Sequence, residues 1–299
     1  MATYSIVLPS LASAVPLKAQ EKNRASASSM LAGVFGIALM LTFCSGALAH
    51  AGHDAQLQRI NDAIAQAPSS QSHYIERAAL HTEAHRFTEA AADFKRADTL
   101  GASVAADYHR ALLYEARKEY EAARASLSRY LKHFPNAPQA YAARARIAQL
   151  LGDKVAAIED LRSNLRLMPQ PNPGDFITAA KLINEQGSPG DALTLLDQGL
   201  EQLGVIPSIQ REAIAIERQR QNIPAAIARL ETLRVPLRES ARWKLQMAEL
   251  LSSHGDNESA SALLESLTSD LQKKRPTPAN QRLLQEARSL LATQIAGPK

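Results

Sequence analysis

Residues 138–169 read PQAYAARARIAQLLGDKVAAIEDLRSNLRLMP, and this stretch indicates how the rest of the chain is built. Apolar residues recur at helical spacing on both sides of Gly152, which favours two helices joined by a turn. Glycine readily adopts the left-handed backbone conformation that ends a helix in such a turn. Pro169 cannot continue a helix, so it predicts where the second helix ends. The stretch therefore predicts one helix–turn–helix unit.

The unit recurs along the chain, and one alanine in each unit makes the period visible. These alanines stand 33 to 35 residues apart, near the predicted start of each second helix: Ala90, Ala123, Ala157, Ala192, Ala226 and Ala260. A large apolar side chain follows four residues after each of them: Phe94, Leu127, Leu161, Leu196, Leu230 and Leu264. Because residues four apart share a helix face, the alanine is predicted to admit a neighbouring helix and the larger side chain to fill the space beside it.

The first helix of each unit carries its own small or apolar residue, which predicts where the paired helices cross. These residues are Ala78, Ala111, Ala145, Ala180, Ile214 and Ala248. Gly187 and Gly255 stand at the same turn position as Gly152, and Pro135 predicts a second-helix end like that at Pro169. The sequence after residue 54 shows no alternating pattern typical of a strand.

Six repeats in phase resemble the tetratricopeptide repeat (TPR) family over about residues 56–270. The resemblance is clearest in residues 74–102, 104–135 and 138–169. It implies an all-α, right-handed superhelical solenoid of about six helix–turn–helix repeats with a terminal capping helix. The chain departs from the family at Gln210 and Lys244, where a large apolar residue is usual.

The predicted organisation has four parts: a signal peptide with a long amino-terminal region (1–49), a mature N-terminus with a capping half-repeat (50–70), a TPR-like solenoid (71–270), and a linker with a C-terminal capping helix (271–299). The half-repeat is predicted from apolar residues between Leu57 and Ile64, ahead of Pro68. The C-terminal helix is predicted from an amphipathic run between Arg282 and Ala292. Terminal helices are expected because the open face of an end repeat would be apolar.

An export signal is predicted from residues 30–44, MLAGVFGIALMLTFC, which carry no charge. Basic residues precede this run and small residues follow it, which is the order of a secretory signal. The run is shorter than the roughly 20 apolar residues of a membrane span. The triplet Ala47-Leu48-Ala49 favours cleavage before His50, so we expect the mature protein to be periplasmic or secreted.

Other interpretations of this segment remain open. Cleavage after Ala51 is a second choice for the peptidase. Leu41 to Cys44 resembles a lipoprotein box, but Phe43 stands where a small residue is needed. A lipidated or an uncleaved segment would anchor the protein in a membrane, and no other contact with a membrane is expected. The long, Ser- and Ala-rich first 29 residues also fit an organelle transit peptide, or a true start at Met30.

Composition argues against nucleic acid as a partner. The net charge is +4, but removing residues 1–49 leaves 31 basic and 29 acidic residues. A nucleic-acid-binding protein usually shows a concentrated basic stripe, whereas the best cluster here is Lys273-Lys274-Arg275 in a predicted loop. Cys44 is the only cysteine, which excludes an intrachain disulfide and a thiolate metal cluster.

The TPR resemblance implies a protein-binding function, because first helices in the family line a concave face that holds extended peptides or partner helices. The outward first-helix positions predicted for this face are Ile75, Tyr108, Leu112, Glu115, Arg146, Gln149, Lys181, Asn184, Arg211 and Arg218. The early members are apolar or aromatic and the middle ones basic, which predicts a peptide with an apolar and an acidic portion. The Lys/Asn clamp that some family members use on chaperone tails is incomplete here. We therefore expect an exported interaction scaffold, such as an assembly or accessory factor of an envelope complex.

No pattern of catalytic residues stands out, so an enzyme activity, a cofactor and a small-molecule substrate are not expected. His81 and His85 lie four apart, but Thr82 stands where the zincin motif needs glutamate. Glu159 and Asp160 are expected on an exposed second-helix face as solubilising charges. The sequence shows no nucleophile elbow and no phosphate loop.

An alternative function follows from the mature N-terminus that cleavage before His50 would create. His50 would offer its amine and its imidazole together, and His53 would add a nitrogen; these ligand types suit Cu(II) or Ni(II). The pattern predicts a copper- or nickel-handling accessory protein, with His50 and His53 as weak candidates for metal ligands. Cleavage after Ala51 would remove His50 and with it this function.

Mass spectrometry of the protein purified from its native cells tests the export prediction. We expect the mature chain to begin at His50, because the peptidase pocket takes small side chains such as those of Ala47 and Ala49. A chain that keeps residues 1–49 would contradict cleavage. Lipid on Cys44 would indicate a lipoprotein instead, and two successive cleavages would indicate import into an organelle.

Overall fold

The computed structural model describes residues 53–233 and 240–295, and every regular element in these ranges is an α-helix. Fourteen helices are present there: α1 (53–66), α2 (Gln71–Glu83), α3 (Phe87–Leu100), α4 (Ala105–Ala116), α5 (Tyr120–His133), α6 (Pro138–Leu150), α7 (Lys154–Leu167), α8 (Pro173–Glu185), α9 (Pro189–Leu203), α10 (Pro207–Gln219), α11 (Ile223–Glu231), α12 (Ala241–His254), α13 (Asn257–Lys273) and α14 (Pro278–Ile295). The predicted signal peptide, residues 1–49, lies outside the described residues.

The described residues from 59 to 295 belong to one compact unit, and its helices include six successive pairs, α2–α3 to α12–α13. Each second helix packs against its own first helix, and each pair packs against the next pair along the chain. This unit is an all-α helical-repeat solenoid, which confirms the fold class predicted from the repeat. Residues 53–58 are the described part of a separate N-terminal unit and form the first turns of α1.

The repeat alanines occupy the helix crossings, as predicted. All six are completely buried, and each is the fourth residue of its second helix. The large apolar residue four positions later exposes at most 4% of its surface. Because alanine has no side chain beyond Cβ, the paired backbones approach closely and the larger neighbour fills the remaining space. Among the predicted first-helix crossing residues, Ile214 alone is only partly buried, and the fully buried residue beside it is Ala213.

Each pair turns through a residue with left-handed backbone geometry. The predicted turn glycines, Gly152, Gly187 and Gly255, have φ angles of 78°, 81° and 90°. The other three repeats place His85, Lys118 and Gln221 at the same position, with φ angles of 57°, 61° and 58°. These three turn residues were not predicted from the sequence, because only glycine adopts this conformation without a steric cost. For other residues the left-handed conformation costs about 1–2 kcal/mol.

Gly199 satisfies a different constraint, the close approach of α8 and α9. A Cβ atom at this position would lie 2.9 Å from Cγ of Phe176, closer than real carbon atoms pack. The ring of Phe176 therefore lies directly against the α9 backbone. Gly199 stands seven residues after the repeat alanine, a position that holds a larger residue in the other pairs.

Both ends of the repeat array are helical. Helix α14 begins at Pro278 and packs against α12 and α13, with Ala287 fully buried in the contact. The predicted amphipathic run thus forms the last helix of the described chain. None of the described helices is long and apolar enough to span a membrane.

Replacing Gly152 by alanine tests the turn geometry. We expect Gly152→Ala to lower the free energy of unfolding by about 1 kcal/mol, because a Cβ meets no other atom there and only the left-handed backbone is penalised. Gly190→Ala is the matched control, since Gly190 also has open space around its Cβ position but an ordinary backbone at the start of α9. Urea unfolding of the two variants measures the difference. Equal midpoints for both would contradict the prediction.

Candidate partner-binding surface

The ten residues predicted to bind a partner all lie on first helices, from α2 to α10. Five are exposed: Arg146, Gln149, Lys181, Arg211 and Arg218. The other five are partly buried: Ile75, Tyr108, Leu112, Glu115 and Asn184. We call the surface made by these ten residues the first-helix face.

Aromatic side chains extend the early part of this face. The ring of Tyr108 lies 5.5 Å from that of Tyr130 on α5, and Tyr130 lies 4.8 Å from Phe134, which is 43% exposed. Burial raises the pKa of the Tyr108 hydroxyl, although nearby Arg146 acts in the opposite direction. The phenol is therefore a neutral group at physiological pH, and it lies beside the partly exposed aromatic rings of Tyr130 and Phe134.

The predicted basic stretch is largely neutralised by carboxylates from neighbouring repeats. Arg146 donates two hydrogen bonds to Glu115 across successive first helices, at 2.5 and 2.7 Å. Lys181 lies 3.5 Å from Glu212 and Arg218 lies 3.9 Å from Glu249. In all three pairs the partners are 31 residues apart, so each joins adjacent repeats. The sequence pattern predicted these cations on the first-helix face but not their pairing with carboxylates.

Arg211 differs from the other three cations. Its Nε donates to the carbonyl oxygen of Pro207, one helical turn earlier, at 3.3 Å. Within the described ranges no carboxylate lies at ion-pair distance from its guanidinium. Arg211 is thus an exposed cation on the first-helix face whose charge has no direct counter-ion in the described structure.

A cleft of about 150 Å³ opens beside Arg211, between α10 and α12. Its apolar walls include Leu230 and Leu250, which expose 1% and 2% of their surfaces, and the partly buried Ile214. Arg211, Arg218 and Gln246 supply its polar groups. The sequence pattern did not identify Gln246 or Leu250, because their contact with α10 depends on how the fifth and sixth repeats stack.

Two other first-helix arginines, Arg77 and Arg144, pair with buried carboxylates and do not extend this face. Arg77 binds Asp93 on α3 and Asn61 on α1, and Arg144 binds Asp160 on α7 and Ser128 on α5. Each of these arginines therefore ties a first helix to two second helices, and we call the arrangement an arginine clasp. Asp160 is only 4% exposed, so the expectation that it lies on an exposed face is wrong.

His81 and His85 lie at the end of α2 and in the turn that follows it. His81 lies 3.8 Å from Asp93, and burial lowers the pKa of its imidazole despite that carboxylate. No group of three potential metal ligands occurs among the described residues. His53 begins α1, whereas His50 lies outside the described residues, so the predicted copper or nickel site stays a prediction.

Comparison with known proteins gives matches to solved structures. No protein-family model matches the sequence, and no curated protein matches it. The C-terminal part of a TPR repeat-containing protein from Cytophaga hutchinsonii is similar with a TM-score of 0.61 and 13% identity, over 81% of this chain and 98% of that one. The Naa15/Naa10 complex bound to HypK-THB is similar with a TM-score of 0.55 and 17% identity, over 81% of this chain.

These matches place the chain in a structural class. The chain spans 37% of the length of the protein that it matches in the Naa15/Naa10 complex. At these identities the likeness shows the fold alone, which is the TPR fold of stacked helix pairs. The expected TPR-type architecture is thereby confirmed.

Arg144 and Arg146 allow a direct comparison of a buried and an exposed ion pair on one helix. We expect Arg144→Ala to lower the free energy of unfolding by roughly 3 kcal/mol, because Asp160 would be left buried without its cation. Arg146→Ala should cost less than about 1 kcal/mol, since this pair is solvated and Arg146 is 52% exposed. Urea unfolding measures both. A larger effect for Arg146→Ala would contradict the assignment of Arg144 to the core.

Proposed function

We propose that the protein is an exported, non-enzymatic scaffold that binds a partner polypeptide on its first-helix face. The observation that carries this proposal is the cleft between α10 and α12, which combines an apolar floor with guanidinium groups at its rim. The TPR fold supports the proposal, because stacked helix pairs offer a continuous surface to an extended partner.

Arg211 is the group best placed to recognise the partner. An arginine guanidinium pairs with a carboxylate through two parallel hydrogen bonds, which gives both strength and orientation. Arg218 lines the same cleft and is only loosely held, at 3.9 Å from Glu249. The partner therefore places a carboxylate at Arg211 and an aliphatic side chain over Leu230 and Leu250.

The size of the cleft favours a polypeptide over a small molecule. Pockets for small ligands usually enclose about 300–1,000 Å³, whereas this cleft encloses about 150 Å³. Such a space suits a single side chain of a longer ligand. The remainder of that ligand lies along the first-helix face, toward the apolar and aromatic positions at Leu112 and Tyr108.

The ion pairs between first helices give this surface its polar border. Charged groups at the rim of an interface contribute more to specificity and association rate than to affinity. Arg146 with Glu115 and Lys181 with Glu212 keep that border nearly neutral. Affinity on this face therefore concentrates at the cleft and at the aromatic positions, as binding energy concentrates in a few residues of most interfaces.

Export places this scaffold in the cell envelope. The signal in residues 30–49 supports secretion, and the nearly balanced charge of the remaining chain fits a protein that meets other proteins rather than nucleic acid. An assembly or accessory factor of an envelope complex is the role that best joins export with a peptide-binding face.

Reversing the charge of Arg211 tests the proposal. The tagged full-length protein is expressed in its native cells and crosslinked, and the co-purified proteins are quantified by mass spectrometry. We expect Arg211→Glu to reduce recovery of the partner by roughly tenfold or more, because a carboxylate would then face a carboxylate.

Lys95→Glu provides the matched control, since Lys95 is an exposed cation on second helix α3 and the charge change is the same. Its recovery of the partner should equal that of the wild type. Circular dichroism and urea unfolding verify that both variants are folded. Equal recovery by Arg211→Glu, or no protein recovered above background by the wild type, would contradict a partner-binding cleft at this position.

A further inference from the structure

A second groove lies among different helices, between the second helices α7 and α9. It encloses about 460 Å³, compared with about 150 Å³ for the cleft beside Arg211. Arg162 and Arg166 on α7 form one wall, and Gln198 and Gln202 on α9 belong to the other. The floor consists of Leu165, Phe176 and Leu195.

This groove lies at a repeat junction that lacks an arginine clasp. Arg77 and Arg144 each stand one residue before the crossing alanine of their first helix and fill the space between two second helices. The same position of α8 is Ala179, which is fully buried and carries no polar group. Ala179 therefore places no polar side chain between α7 and α9.

The next junction is closed in another way. Asp197 on α9 accepts two hydrogen bonds from Arg229 on α11, at 2.6 and 2.9 Å. Asp197 stands five residues after its repeat alanine, and Arg229 stands three residues after its own. At the α7–α9 junction, the same two positions hold Arg162 and Leu195. Arg162 thus occupies the position of a carboxylate that is paired one repeat later, and leucine replaces the residue that would pair with it.

The length of the chain at this junction also differs. The repeat alanines Ala157 and Ala192 are 35 residues apart, the longest spacing in the series. The connection between α7 and α8 has five residues, 168–172, whereas the three other short connections between repeats have three or four. The additional residue and the missing clasp occur at the same junction, where α7 and α9 leave the groove between them.

Within the described chain, the cations of the groove have no carboxylate partner. Arg162 and Arg166 are exposed and lie four residues apart, so both project from one face of α7. Arg166 donates to Ser163, and no carboxylate of the described chain lies at ion-pair distance from either guanidinium. Asp191 lines the other wall near the start of α9, so the groove carries two positive charges and one negative charge.

We propose that this groove binds an extended acidic segment of a partner protein. Two carboxylates of the segment pair with Arg162 and Arg166, and an apolar side chain between them lies over Phe176 and Leu195. The side-chain amides of Gln198 and Gln202 each offer donors and an acceptor, which suit the backbone of an extended peptide. The groove is separate from the first-helix face, so its binding of an acidic segment can be tested independently of the function proposed above.

Selection from a displayed library of random short peptides tests this assignment on the full mature chain. Enriched peptides are synthesised with a fluorophore, and their affinities are measured by anisotropy for the wild type and for the double variant Arg162→Glu/Arg166→Glu. We expect one class of enriched peptides to carry acidic residues on both sides of an apolar residue. Their affinity should fall by roughly tenfold or more in the double variant and by less in Arg162→Lys/Arg166→Lys, which keeps the charge and loses the bidentate geometry.

Two further variants distinguish binding in this groove from a general effect of net charge and from binding on the first-helix face. Lys95→Glu/Lys132→Glu makes the same charge change on exposed positions of α3 and α5 and should leave the affinity unchanged. Arg211→Glu should also leave it unchanged, whereas peptides bound on the first-helix face should be lost with Arg211→Glu alone.

Enriched peptides that are insensitive to Arg162→Glu/Arg166→Glu would overturn the assignment of the groove and leave the first-helix proposal intact. Enrichment without acidic residues would overturn it as well. Sedimentation that shows a wild-type dimer and a monomeric double variant would also overturn it, because the groove would then hold a second copy of this chain.

Discussion

The structure depends on the close contact that six buried alanines allow between paired helices. Each of them stands at the fourth position of a second helix and exposes no surface. A larger side chain there would push the two helices apart. The next pair would then lose part of its packing contact as well, because each repeat packs only on its neighbours. Both candidate binding surfaces inherit their geometry from this contact, since they form where successive pairs lie side by side.

Ion pairs and hydrogen bonds also join the helices that the apolar contacts bring together. Buried carboxylates such as Asp93 and Asp160 are tolerated because an arginine clasp satisfies them. Exposed pairs on the first-helix face add little stability, yet they neutralise most of its cations and leave the charge of Arg211 without a direct counter-ion. The groove between α7 and α9 lies at a junction where Ala179 stands in place of the clasp arginine. Candidate sites therefore occur where the polar pattern of the repeats is interrupted.

The repeat, its alanines and the final helix could be predicted from the sequence, because they follow from local spacing and from residue size. The left-handed turns at His85, Lys118 and Gln221 could not, since these residues accept a strain that glycine avoids. The burial of Asp160 depends on Arg144, 16 residues away on another helix, and the pairs between repeats depend on partners 31 residues apart. Such contacts follow from how neighbouring helices are offset, which a periodic pattern does not encode.

The contact at the repeat alanines is tested most directly by leucine substitutions two residues apart on α3. Ala90 is completely buried, whereas Ala92 on the same helix is exposed. The measurement is the urea unfolding midpoint of Ala90→Leu and Ala92→Leu, with the free energies compared at equal slope. The account predicts a loss of roughly 2–3 kcal/mol or more for Ala90→Leu through overpacking, and a change within about 0.5 kcal/mol for Ala92→Leu. An Ala90→Leu protein as stable as Ala92→Leu would contradict it.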